Sequence, residues 1–211
     1  MALLLLLSTT IISSCADSNS DKNIREYHLE VINGDHFTSD PIRNEALTFE
    51  VNIDMVNATP EQEIKLREAI EILKQVVATE EFREKVLNFS YNGKRTFIDN
   101  RGFTNGQIYQ IVLNGAEALS PARNNQLDAE IEFYSADTNV VGYTYKNTRR
   151  IWINTKFFES NTPARVAHNL FHEWLHKLGF DHDASWSQDR DASVPYALGF
   201  IMGEVGKKFN P

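Results

Sequence analysis

The sequence contains a single cysteine, Cys15, among its 211 residues. A lone cysteine cannot form a disulfide within the chain, so a cross-linked mini-protein scaffold is excluded. Stability therefore has to come from a hydrophobic core. The length is sufficient for one domain, and 42% hydrophobic residues is an ordinary globular composition.

Positive charge is also scarce. The chain has 21 lysines and arginines against 29 aspartates and glutamates, which gives a net charge of −8. Binding to nucleic acid relies on neutralising phosphates with basic side chains, so a nucleic-acid partner is not expected. An acidic balance of this size favours solubility and does not indicate the substrate.

Long apolar runs are absent, and the apolar stretch within residues 1–14 is too short to span a bilayer. It is predicted to be a signal peptide, because Ile12-Ser13-Ser14-Cys15 resembles the signal of bacterial lipoproteins. In that signal, small residues precede a cysteine that is lipidated and becomes the mature N-terminus. No lysine or arginine precedes the apolar run, so an ordinary secretory signal with an incidental cysteine remains the alternative. We expect Cys15 to carry lipid and to anchor the protein on the bacterial cell envelope.

Three segments are predicted along the chain. Residues 1–14 form the signal peptide, residues 15–45 a tether, and residues 46–211 one folded domain. Small polar side chains at residues 16–23 are typical of a flexible linker. Tyr27–Ile32 is predicted to be either an additional strand or a remnant of a pro-segment.

Hydrophobic patterning in residues 46–211 predicts an α+β fold with a twisted mixed sheet. Residues 47–56 alternate apolar and polar side chains, as a half-buried strand does. Thr59 and Pro60 mark the start of a long helix that is expected to reach about Leu87. Residues 90–106 are predicted to be loop. Later elements are a shorter helix at 107–119 and strands at Ala129–Tyr134, Val140–Tyr145 and Arg150–Asn154.

Thr162 and Pro163 predict the start of another helix, which runs to Leu178. One wide side of this helix is apolar: Val166, Ala167, Leu170, Phe171, Trp174, Leu175 and Leu178. Histidines occupy the other side. The helix is therefore expected to pack its apolar side on the sheet and to present its histidines to a cleft. His168 is expected on the helix surface or the cleft wall, and the alternative is that it supports one of the metal ligands.

Residues 172–182 match the pattern HExxHxxGxxH. His172 and His176 are one helical turn apart on the same face, close enough to hold one metal ion. Glu173 lies next to His172 around the helix and can reach a water molecule without ligating the metal. Gly179 permits a left-handed turn that returns His182 as a third ligand. Three protein ligands with a fourth position open to water is the arrangement of catalytic zinc.

This segment resembles the metzincin group of zinc metallopeptidases, within the zincin superfamily. Asp183 directly after the third histidine extends the resemblance to the adamalysin branch. The resemblance implies Zn²⁺ held by His172, His176 and His182, with Glu173 as general base. It also implies a zincin-like fold, in which a long helix and the active-site helix pack on the sheet above a small C-terminal subdomain. No second cysteine exists to block the metal from a pro-segment.

Metzincins carry a methionine-containing turn beneath the metal, and this chain departs from that pattern. Met202 is the single methionine after the motif, but its apolar surroundings are equally typical of a buried helix or strand. The Ser193–Tyr196 segment resembles a turn in the expected place and has proline where the family has methionine. Tyr196 is a candidate transition-state stabiliser, like the tyrosine that follows this turn in astacins. The alternative is a tyrosine packed in the small lobe.

The predicted activity is hydrolysis of peptide bonds in peptides or proteins by a metal-activated water, with Glu173 as base. A monomer is expected. Two alternatives stay open: a zinc amidase acting on cell-wall peptides, and a non-catalytic zinc-binding surface lipoprotein. Glu173 argues against the second, because a structural zinc needs no base.

Arg150–Asn154 is expected at the sheet edge, where it would pair with an extended substrate, and a central position is the alternative.

Overall fold

The computed structural model describes residues 49–119 and 123–209. The predicted signal peptide, the lipidation site at Cys15, the tether and the Tyr27–Ile32 strand lie outside these residues. The elements in chain order are β1 (Glu50–Val56), α1 (Pro60–Val77), α2 (Glu80–Leu87), α3 (Asn105–Asn114), β2 (Gln126–Tyr134), β3 (Gly142–Thr144), β4 (Arg150–Asn154), α4 (Thr155–Ser160), α5 (Pro163–Lys177), α6 (Gln188–Asp191) and α7 (Val194–Gly206).

The strands form one mixed sheet in the order β1-β2-β4-β3, which confirms the predicted α+β class. Strands β1, β2 and β4 are parallel, and β3 runs antiparallel to β4. The prediction that Arg150–Asn154 lies at the edge is wrong, because β4 pairs with β2 on one side and with β3 on the other. A short connection between antiparallel strands folds β3 back beside β4, and this hairpin places Gly142–Thr144 at the edge.

The long helix predicted from Pro60 to Leu87 is two helices. The Thr79 hydroxyl donates to the carbonyl of Val76 at 2.7 Å and accepts from the backbone N–H of Phe82 at 3.1 Å. One side chain therefore ends α1 and caps α2. Helix α3 ends earlier than predicted because Gly115 adopts a left-handed conformation with φ of 60°.

A single hydrophobic core joins the inner face of the sheet to α1, α2, α3, α5 and α7. Helix α7 is apolar on most sides and packs mainly against α5, so its residues belong to this core. The residues of the predicted small C-terminal subdomain therefore share their core with the rest of the domain. Among the described helices, none combines the length and the apolar character needed to cross a membrane.

Two glycines let α7 approach α5 closely. A Cβ atom built on Gly203 would lie 2.9 Å from Nδ1 and 3.2 Å from Cβ of His168. A Cβ atom on Gly199 would lie 3.4 Å from Cβ of His172. Because residues four apart share a helix face, the two glycines form one continuous contact with the histidine side of α5.

Gly203→Ala should lower the free energy of unfolding by about 1 kcal/mol. Overpacking costs about 1–3 kcal/mol, and the gain in helix propensity of about 1 kcal/mol offsets part of it. Gly106→Ala in α3 is the matched control, since its nearest neighbours lie 4.0 Å from the new Cβ, and it should be neutral or stabilising. Urea unfolding measures both. Equal stabilisation of the two variants would show that α7 does not need this contact.

Candidate metal centre

Three imidazoles converge at the end of α5. His172 and His176 lie on the helix, His182 lies in the loop after it, and one ligand nitrogen from each lies within 4.8 Å of the other two. The Nε2 atoms of His172 and His182 are 3.3 Å apart. Two nitrogens bound tetrahedrally at 2.0–2.1 Å are about 3.3–3.4 Å apart, so this pair already has the required separation. The predicted triad can hold a metal ion.

Backbone carbonyl groups orient all three rings. The pairs are His172 with the carbonyl of Pro195, His176 Nδ1 with Phe180 O at 2.8 Å, and His182 Nδ1 with Asp183 O at 2.9 Å. A carbonyl oxygen only accepts, so the ring nitrogen donates in each pair. Protonation at Nδ1 leaves Nε2 of His176 and His182 as the ligand atom and fixes the plane of each ring.

The turn that returns His182 has the geometry its sequence predicts. Gly179 has φ of 89°. Its N–H donates to the carbonyl of His176, and the N–H of Phe180 donates to the carbonyl of Leu175, both at 3.1 Å. These two bonds are a Schellman motif. The buried ring of Phe180 anchors the turn in the core, so His182 starts from a fixed backbone.

Burial keeps the helix imidazoles neutral. It lowers the pKa of His176 to about 4, with a further contribution from His182. Burial, followed by the neighbouring imidazoles of His176 and His182, lowers the pKa of His172 well below its usual value. Neutral imidazole is the form that binds a metal, so neither helix ligand has to lose a proton at neutral pH before it binds.

Glu173 lies between the metal ligands and the edge of the sheet. Its side chain is buried, and its Cγ and Oε1 atoms each lie 3.7 Å from a Cβ atom built on Gly142 of β3. Burial raises the pKa of Tyr134 to about 12, with contributions from Tyr143 and the Glu173 carboxylate. The ends of β2 and β3 therefore both approach Glu173.

Tyr196 packs directly against the imidazoles. Its ring centroid lies 4.6 Å from that of His172 and 4.5 Å from that of His182. Ser193 precedes α7 in an extended conformation, and the helix then places Tyr196 in its first turn. Met202 lies farther along the same helix, buried in the core, and so does not form a turn. Of the two candidate segments, Ser193–Tyr196 is the one that meets the ligands.

Several residues that contact the site were not predicted from the sequence. The guanidinium carbon of Arg190 lies 4.4 Å from the Tyr196 ring centroid, in a cation–π contact. The predicted loop at residues 90–106 docks against the segment before α7, where the N–H of Ile98 donates to the carbonyl of Ala192 at 2.9 Å. The two α7 glycines, four apart in an apolar run, were the available sign of a close approach.

His168 is buried rather than exposed. It is 5% exposed because α7 covers the histidine side of α5, so the expected surface or cleft-wall position is wrong. A guanidinium nitrogen of Arg165 lies 3.3 Å from its Nδ1. Since arginine only donates, the Nδ1 atom of His168 is the acceptor. Burial and the Arg165 charge lower the pKa of His168 to about 3.

The free energy of unfolding of the metal-free protein should therefore decrease as the pH is lowered, in part because of His168. Its folded pKa of about 3 lies below the unfolded value of about 6.5, so between these pH values the unfolded chain binds a proton that the folded chain does not. From pH 7 to pH 5 this should cost about 2 kcal/mol. His168→Asn keeps an acceptor and cannot titrate, so its stability deficit should shrink over this range in urea unfolding. A constant deficit would mean that folding leaves the pKa of His168 unchanged.

A scan of protein-family models finds no match to the chain, and a search of curated proteins finds none either. The interpretation of the centre rests on its geometry, which is a cluster of three oriented imidazoles with a buried carboxylate beside them.

Proposed function

We propose that the protein is a zinc-dependent metalloendopeptidase of the metzincin type. The observation that carries the proposal is the buried carboxylate of Glu173 beside three convergent histidines. Among the described residues, the cluster contains three histidines and no further histidine, cysteine or carboxylate. Three imidazoles favour zinc, and three protein ligands are typical of its catalytic sites, whereas structural sites use four.

Each residue has a role in hydrolysis. When bound, zinc supplies Lewis acidity, which makes water a nucleophile near neutral pH and polarises a carbonyl group. Glu173 accepts a proton from that water on a carboxylate oxygen and later returns it to the leaving amine. The Tyr196 hydroxyl donates a hydrogen bond to the carbonyl oxygen as negative charge develops there. Its ring contacts with His172 and His182 support this placement.

The substrate binds as an added strand beside β3. Within the described part of the chain, β3 forms a sheet edge, and its first residue, Gly142, lies against Glu173. A peptide that pairs with the open side of β3 would bring its backbone past the Glu173 carboxylate. Main-chain pairing makes few demands on side chains, which suits cleavage within extended segments. We therefore propose Gly142–Thr144 for the role first predicted for Arg150–Asn154.

The decisive experiment is cleavage of a mixed peptide library by the purified protein, with the cut sites mapped. Internal cuts are expected, and a zinc chelator should abolish them until zinc is restored. Cell-wall fragments are assayed in parallel. Cleavage of those fragments alone would favour the amidase alternative, and zinc binding with no cleavage of either substrate would favour the non-catalytic lipoprotein.

We also propose that lipid on Cys15 anchors the protein to the bacterial envelope. The sequence around Cys15 supports this, and it lies outside the described residues. Cys15→Ser should move the protein from the membrane fraction to the soluble fraction, because a lipid chain supplies the membrane affinity. Unchanged partition after fractionation would exclude the anchor.

A further inference from the structure

Lys177 is a buried lysine that ends α5 directly after the ligand His176. It is 4% exposed. Its Nζ donates to three backbone carbonyls: Tyr145 at 2.9 Å, Thr148 at 2.5 Å and Arg150 at 2.9 Å. An ammonium group has three N–H donors, so all of them have partners. All three acceptors belong to the turn of the β3–β4 hairpin or to its flanking residues.

This arrangement is specific to a lysine. Burying an amine is unfavourable unless its donors are satisfied, and here the hairpin supplies every acceptor. Burial lowers the pKa of Lys177 to about 7, while the Glu173 carboxylate raises it.

The same hairpin has a second attachment to the metal centre. The Nζ of Lys146 donates to the Asp181 carboxylate at 2.5 Å, and Asp181 precedes the ligand His182. The hairpin is also closed internally, because the Thr144 hydroxyl donates to the carbonyl of Arg150 at 2.6 Å. The β3–β4 hairpin is therefore hydrogen-bonded to both segments that carry the ligands, which are helix α5 and the loop that contains His182.

We propose that Lys177 is a positioning residue that holds the β3 edge at a fixed distance from Glu173, so that an extended peptide lies in register with the metal. This inference rests on the proposed function. Strand β3 itself is three residues long, and three residues provide few bonds to hold an edge strand in place. The three hydrogen bonds from Lys177 add contacts that fix the hairpin to helix α5.

The test compares Lys177→Met with Lys156→Met. Methionine keeps the length and bulk of the side chain and removes its donors. Lys156 provides the matched control, since its Nζ pairs with Asp137 at the exposed surface, away from this contact. Both full-length variants are loaded with zinc and assayed on a nested series of peptides, lengthened one residue at a time from each end. Amide hydrogen exchange is measured on the same samples.

Lys177→Met should raise KM for the longest peptides by about tenfold or more, because a displaced edge loses their main-chain pairing. Zinc content, kcat and the KM of the shortest peptides should stay within about twofold. Amides of residues 143–152 should exchange faster while those of α7 stay protected. Lys156→Met should match the wild type throughout. A purely stabilising role would lower the unfolding midpoint without removing the length dependence of KM.

Unchanged hairpin exchange and unchanged length dependence in a folded, zinc-loaded Lys177→Met would overturn the inference. Loss of zinc together with activity on every peptide would also overturn it, since Lys177 would then support the ligand helix. If this variant does not fold, Lys177→Gln, which keeps a shorter donor, is judged by the same measurements. A wild-type protein that cleaves no peptide would refute both the proposed function and this inference. If the wild type does cleave peptides, the result for Lys177→Met tests this inference alone.

Discussion

Glu173→Gln should reduce kcat by about 10² or more while the protein keeps its zinc, because general-base catalysis typically contributes 10²–10⁴-fold. Glutamine has the size of glutamate and keeps polar contact with its surroundings, but its amide cannot accept the proton of the attacking water. Glu173 is only 3% exposed, so bulk water cannot easily replace its carboxylate as the base. The measurements are steady-state kinetics on a cleaved peptide and the zinc content of the same sample.

Glu117→Gln is the matched control. Glu117 is also buried, and its Oε1 accepts from the Trp174 indole N–H at 2.6 Å and from the backbone N–H of Asp128 at 3.0 Å. The same substitution there removes a buried carboxylate that packs against α5 without approaching the ligands. It should leave kcat within a few-fold. Equal losses in the two variants would mean that any buried change near α5 impairs the enzyme. Loss of zinc in Glu173→Gln would make Glu173 a ligand or a structural residue.

The centre was largely predictable because its geometry is local. Helical periodicity places His172 and His176 on one face, and a glycine after the last turn selects the left-handed exit that leads to His182. Both depend on residues within eleven positions of each other. The break at Thr79 was also readable in principle, since a threonine followed by Glu80 and Glu81 is a helix-start signal inside the predicted long helix.

Strand order was not predictable because it depends on pairing between distant segments. Strand β4 buries Ile151 and Ile153 on one face, as the alternation of its sequence indicates. The alternation could not show that β2, from a separate part of the chain, occupies the second side of this strand. A strand with a clear inward and outward face looks the same at the edge and at the centre of a sheet.

The packing of α7 on the histidine side of α5 was not predictable for a similar reason. Polar residues on one side of a helix normally indicate solvent or an open cleft, and the predicted position of His168 lies on that side. The structure instead places α7 over this face, with Gly199 and Gly203 making room for the imidazoles. Neutral histidine can be buried where it finds partners, so a histidine-rich face does not distinguish solvent from a close helix contact.

His182→Ala should weaken zinc binding by more than about 10²-fold. Removing a group that only supports a ligand typically costs 10–100-fold in metal affinity, so removal of a ligand itself should cost more. His172 and His176 would remain as an oriented pair on α5. Two nitrogens leave half of a tetrahedral coordination shell to water, so activity should fall with the metal. Competition with a chromophoric chelator gives the affinity.

Two controls identify what the loss means. His168→Asn alters a buried histidine of α5 outside the triad and should keep full zinc affinity. Asp183→Asn should also bind zinc normally, because the backbone carbonyl of Asp183, and not its exposed carboxylate, accepts from His182 Nδ1 at 2.9 Å. If Asp183→Asn lost zinc as strongly as His182→Ala, the carboxylate would be the group that orients the ring or binds the ion. Full zinc occupancy and activity in His182→Ala would remove His182 from the centre and leave His172 and His176 as its protein ligands.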